Sequence, residues 1–96
     1  MTAPAYSVLT TAHFDRLLKK LAPKHPELAV RFEEAIAILA LDPCNKSHKH
    51  PIKKLEGTKA GEGQYRLRSG RFRFRYDIAD REVVLLYCGL RREDTY

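Results

Sequence analysis

The chain has 96 residues, 44% hydrophobic and 31% charged, the balance of one globular domain rather than of a disordered segment. No apolar run approaches the ~20 residues of a membrane-spanning helix, and Met1-Thr-Ala-Pro-Ala-Tyr6 has neither the basic flank nor the apolar stretch of a secretion signal. The formal net charge is +6, but residues 44–75 alone carry five Lys and five Arg against Glu56 and Glu62, a net +8 that leaves −2 for the rest. Positive charge concentrated in one third of the chain is the footprint of a nucleic-acid binder. A lipid surface fits less well, because no basic amphipathic helix accompanies the charge.

Tyr6-Ser-Val-Leu-Thr10 reads as a short strand. Thr10 or Thr11 then caps a helix whose apolar residues Phe14, Leu17, Leu18 and Leu21 recur at helical spacing, and Pro23 ends it. A second helix starts near Pro26, with Glu27 suited to its first turn. Its stripe is Leu28, Phe32, Ala35, Ile36 and Leu39, and Asp42-Pro43 stops it. The short link between them predicts an antiparallel helical hairpin. Residues 42–63 show no periodicity, and an irregular stretch of that length in a small domain is usually functional or mobile.

Tyr65-Arg-Leu-Arg-Ser-Gly-Arg-Phe-Arg-Phe-Arg-Tyr76 alternates apolar and basic residues on both sides of Ser69-Gly70. This is the pattern of a half-buried β-hairpin. A turn at Ser69-Gly70 would set Arg68 opposite Arg71 and Arg66 opposite Arg73. Arg66, Arg68, Arg71, Arg73 and Arg75 would then line one surface, and Tyr65, Leu67, Phe72, Phe74, Tyr76 and Ile78 the other. Opposed like charges destabilise a sheet, so five arginines on one face imply a polyanion to receive. After a turn at Asp80-Arg81, Glu82–Leu90 is apolar on both faces, as a central strand should be. Arg91-Arg-Glu-Asp-Thr-Tyr96 forms the tail. The expected architecture is α+β, β-α-α-β-β-β, a single domain over 1–96. A four-stranded, mainly antiparallel sheet carries the helical hairpin on its apolar face.

Few residues suggest other chemistry. His48 and His50 lie in a Lys-rich loop and His13 and His25 at helix starts, but no Cys or carboxylate completes a tetrahedral metal set. Cys44 and Cys88 are widely spaced and read as reduced thiols of a cytosolic protein, Cys88 as a core residue of the last strand. Tyr65 and Tyr76 fall on the apolar side. Tyr96 instead leaves the sheet beside the basic face, after two arginines.

Lys53-Lys-Leu-Glu-Gly57, the Tyr65–Tyr76 segment and Gly89-Leu-Arg-Arg-Glu-Asp-Thr-Tyr96, in that order, resemble the RelE/ParE superfamily, the toxin halves of type II toxin–antitoxin systems. The resemblance runs from Tyr6 to Tyr96. It implies a cognate antitoxin that blocks the basic face. RelE-like members cut mRNA on the ribosome without a metal or other cofactor; ParE-like members poison DNA gyrase. The resemblance places the RelE-like active-site positions at Arg66, Arg68, Arg73, Arg91 and Tyr96. It favours a cytoplasmic mRNA interferase, with the gyrase poison and a non-catalytic RNA-binding remnant as alternatives. Lys53, Lys54, Arg71 and Arg75 are candidate contacts to mRNA or ribosomal RNA. Where some relatives carry lysines, this chain has Arg66 and Arg68. Arginine clamps a phosphate but keeps its proton, so it is a poor general base.

Overall fold

A computed structural model of the chain describes residues 5–90. Strand β1 (Ser7–Thr10) leads into helix α1 (Ala12–Leu21), a 3₁₀ turn over Ala22–Lys24, and helix α2 (Leu28–Leu41). Thr11, not Thr10, is the cap of α1. Its hydroxyl accepts from the Phe14 amide and donates to the Leu85 carbonyl, each at 3.1 Å, so the helix start is tied to the sheet. Four strands follow: β2 (Ile52–Lys54), β3 (Tyr65–Ser69), β4 (Phe72–Ala79) and β5 (Glu82–Leu90). The sheet order is β1-β5-β4-β3-β2, with β1 parallel to β5 and every other pair antiparallel.

The α+β, mainly antiparallel expectation holds, with one more strand than the alternation predicts. The addition is β2, three residues at the sheet edge paired with Tyr65–Leu67. A three-residue strand is too short to show a period of two.

Phe14, Leu28, Ala35 and Leu39 from the helices meet Leu67, Phe72, Phe74, Tyr76, Val83, Leu85 and Cys88 from the sheet in one buried core. Phe14, Phe32 and Phe74 cluster with ring centroids 5.6–6.4 Å apart. Each buried Phe or Leu contributes about 1.5–3 kcal/mol by leaving water. Tyr76 reaches through this layer and donates its hydroxyl to the Pro43 carbonyl at 2.6 Å, fixing the end of α2 against β4. Burial pushes the Tyr76 phenol up and the Cys88 thiol up to about 12. No helix among the described residues is long and apolar enough to cross a membrane.

An irregularity in β5 decides which of its side chains face the core. Arg75 pairs with Tyr87 but Tyr76 pairs with Leu85, so Leu86 is an extra residue in β5. This bulge shifts the alternation of β5 by one. Val83, Leu85 and Cys88 face the core, while Tyr87 and Gly89 pass to the opposite side with their partners Arg75 and Arg73.

Candidate nucleic-acid interface

Strand register assembles the basic surface. Arg66 stands opposite Arg75 and Arg68 opposite Arg73, and on the outer side Lys53 stands opposite Arg66. Opposed residues share a face. Lys53, Arg66, Arg68, Arg73 and Arg75 therefore form one cationic surface on the side of the sheet away from the helices. Among the described residues Lys53 and Arg68 make no ion pair.

Two expected members are elsewhere. The hairpin turn is Gly70-Arg71 rather than Ser69-Gly70, because Ser69 pairs with Phe72. Gly70 takes φ +60° while Arg71 stays at negative φ, the pattern of a type II′ turn with glycine first. The shift keeps the arginines on one face but changes their partners, and it removes Arg71 from the ladder. The Arg71 Nη1 lies 3.6 Å from Glu27 Oε2, at the start of α2. Lys54 is separated from Lys53 by strand alternation. It pairs with Tyr65 on the helix side, its Nζ 5.8 Å from the Tyr65 ring centroid. Arg91 and Tyr96 lie outside the described residues.

The irregular segment is anchored at both ends. The Asp42 carboxylate accepts from the Lys46 amide and from the Ser47 amide and hydroxyl, and these bonds, the Ser47 hydroxyl foremost, hold its pKa below the usual value. The Asn45 side chain bridges to both backbone groups of His50. Beyond β2, the Asp77 carboxylate accepts from the amides of Gly61 and Gln64, and Arg75 donates from Nε and Nη2 to the Gly63 carbonyl at 3.2 and 2.9 Å. Arg75 and Asp77, two residues apart on the arginine face, thus hold the 61–64 loop at its margin. Where β2 stops, Arg68 also lines an open cleft of about 540 Å³ with Arg31, Ile38 and Pro51.

Sequence reasoning missed Tyr87. With the bulge in place it shares the arginine face, and its side chain runs along β5 over Gly89. A Cβ on Gly89 would collide with the Tyr87 hydroxyl oxygen and lie 2.9 Å from Cζ. The Tyr87-Cys-Gly89 spacing was the available signal, since a glycine inside a central strand often marks a close approach.

Among the described residues no three His, Cys, Asp or Glu side chains converge. Cys44 is exposed, and Cys88 is in the core.

No family model matches the sequence, and no curated protein does. Among solved structures, the chain is similar to one in the toxin–antitoxin complex RelBE2 from Mycobacterium tuberculosis, with 30% identity and a TM-score of 0.66 over 92% of this chain and 99% of that one. The chain belongs to the RelE-like toxins of the RelE/ParE superfamily.

Proposed function

We propose that this RelE-like toxin is a metal-independent endoribonuclease that cuts mRNA on the ribosome and is held in check by a cognate antitoxin. The observation that carries the reading is the co-facial set of Lys53, Arg66, Arg68, Arg73 and Arg75. Guanidinium groups present fixed forks of N–H donors that match phosphate oxygens. Like charges opposed across strands repel one another, and a bound polyanion offsets that repulsion.

In the reaction the RNA 2′-hydroxyl attacks the adjacent phosphorus. The products are a 2′,3′-cyclic phosphate and a 5′-hydroxyl. Arg66, Arg68 and Arg73 hold the phosphate and stabilise the charge that builds on its oxygens. Arg91 adds to that stabilisation, and Tyr96 stacks on the nucleotide or assists proton transfer. Lys53 extends the backbone contact at the sheet edge.

The support for an antitoxin is the similarity to a toxin solved in complex with one, together with the net +8 of residues 44–75. The test is a primer-extension map of transcripts after brief expression. Discrete cuts within translated frames are expected. Intact transcripts with trapped, cleaved DNA–gyrase complexes would replace this reading with a gyrase poison.

A further inference from the structure

The arginine face holds one more group suited to RNA chemistry, and the proposed reaction does not yet use it. The β5 bulge at Leu86 brings Tyr87 onto this face, opposite Arg75. Its ring lies along the strand over Gly89, where any side-chain carbon would strike the phenol oxygen. Gly89 in turn stands opposite Arg73, and Arg73 opposite Arg68. The hydroxyl is therefore level with the Arg68–Arg73 pair, one strand spacing, roughly 4.8 Å, away from the Arg73 backbone.

Among the described residues, the other groups on the face are poorly suited to deliver a proton. The arginines keep theirs at any working pH. The Asp77 carboxylate is occupied by the amides of Gly61 and Gln64. Lys53 is on the far edge strand, three strand spacings or about 14 Å from β5. A phenol is a neutral donor at neutral pH, and here it adjoins the arginines that would grip the phosphate.

We propose that Tyr87 is a catalytic residue of the cleavage, the general acid for the leaving 5′-oxygen. The inference rests on the endoribonuclease reading and adds a proton donor to it. As the 2′-oxygen bonds to phosphorus, the P–O5′ bond breaks and the 5′-oxygen takes the phenol proton, leaving as a 5′-hydroxyl. The proton of the 2′-hydroxyl passes to water. Water then returns a proton to the phenolate, which Arg73 stabilises in the interval. The bulge and Gly89 serve to place the hydroxyl.

The test uses translating ribosomes programmed with a synthetic mRNA whose cut site carries either the natural linkage or a bridging 5′-sulfur. A thiolate leaves without a proton, so it needs no acid. Relative to wild type in single turnover, Tyr87→Phe should slow cleavage of the natural linkage by ~10²-fold or more, the span of general acid catalysis. It should slow the sulfur linkage by no more than a few-fold. Gly89→Ala displaces the ring and should give the same pattern, which keeps the test open if Tyr87→Phe does not fold. Equal slowing on both linkages would make Tyr87 a positioning residue and overturn the proposal, as would no slowing on either. Wild-type protein that cuts neither linkage would overturn the endoribonuclease reading and this proposal together. Wild-type cleavage with an unaffected Tyr87→Phe variant would overturn the proposal alone.

Discussion

Arg66 and Arg75 are directly opposed across β3 and β4, and the Arg75 guanidinium is committed to the Gly63 carbonyl, 3.2 Å from Nε and 2.9 Å from Nη2. The arginine face thus contains a cation that holds a loop beside cations that the proposed function assigns to RNA phosphate. Arg68, exposed and without an ion pair among the described residues, is of the second kind. Arg75→Ala should lower stability by about 1–2 kcal/mol, the scale of partly exposed hydrogen bonds from a charged group. Arg68→Ala should leave stability within about 0.5 kcal/mol and weaken RNA binding instead. Paired urea melts and RNA titrations separate the two. Equal effects of both variants in both assays would contradict the division.

RNA binding should depend steeply on salt. Each phosphate neutralised on a single strand releases counterions worth a log–log slope of about −0.7. Contacts from Lys53, Arg66, Arg68 and Arg73 should give a slope of about −3, and Arg68→Ala should reduce its magnitude by about 0.7. A nearly flat dependence would rule out a phosphate-binding face.

Stability should fall in alkali, with identifiable groups responsible. Burial raises the Cys88 thiol to about 12 and pushes the Tyr76 phenol above its usual value. Both groups stay protonated in the folded chain after the unfolded chain has begun to ionise. Their contribution is complete below the unfolded values, about 8.5 for Cys and 10 for Tyr, and is lost as pH rises beyond them. Between pH 9 and 10 the loss belongs mainly to Cys88, at up to about 1.4 kcal/mol per pH unit. Urea melts of a Cys88→Ala variant should show a clearly shallower slope there. Tyr76→Phe should flatten the curve only above about pH 10, while costing about 1–3 kcal/mol at neutral pH by leaving the Pro43 carbonyl unsatisfied.

How much of the fold and the site was legible in the sequence depends on where alternation stays in phase. From Tyr65 to Tyr76 it does. Leu67, Phe72 and Phe74 enter the core and the arginines share the opposite face, as the alternation predicts. A one-residue error in the turn changed partners but not faces on β4, and only Arg71, which left the ladder, was misplaced. In β5 the phase breaks. Counting by twos from Val83 and Leu85 sends Tyr87 and Gly89 into the core, whereas the extra Leu86 sends Cys88 there instead. Apolar residues on both sides of Leu86 conceal the bulge, because either phase buries something. The carboxylate of Asp77 was likewise unreadable as an anchor. Its partners, the amides of Gly61 and Gln64, are backbone groups brought to it by a loop with no period of its own.

A cognate antitoxin should place Asp and Glu side chains over Lys53, Arg66, Arg68 and Arg73, and so occupy the proposed phosphate site directly. The motive is the net +8 of residues 44–75. In hydrogen-exchange or mutational mapping of the complex, protection should centre on β3 and β4. Charge reversal at Arg68 should weaken the complex, mostly through slower association at low salt. A fully inhibited complex in which this surface stays open to solvent would contradict direct occlusion.

Arg91 and Tyr96, which lie outside the described residues, can be tested by their effect on chemistry rather than by their position. If Arg91 stabilises charge on the reacting phosphate, Arg91→Ala should cost roughly 10²–10³ in single-turnover cleavage on the ribosome, the range for losing one preorganised donor. Tyr96→Phe keeps a stacking surface and removes a hydroxyl. A small effect assigns stacking to Tyr96, and a loss of ~10² or more assigns proton transfer. Lysine at Arg66 or Arg68 preserves charge while allowing a proton to leave among neighbouring cations. Those variants should retain cleavage, whereas alanine at either site should lower it. Full activity of an Arg91→Ala, Tyr96→Ala double variant on translating ribosomes would remove both residues from the active site. The described face, with its arginines and Tyr87, would then have to account for the chemistry alone.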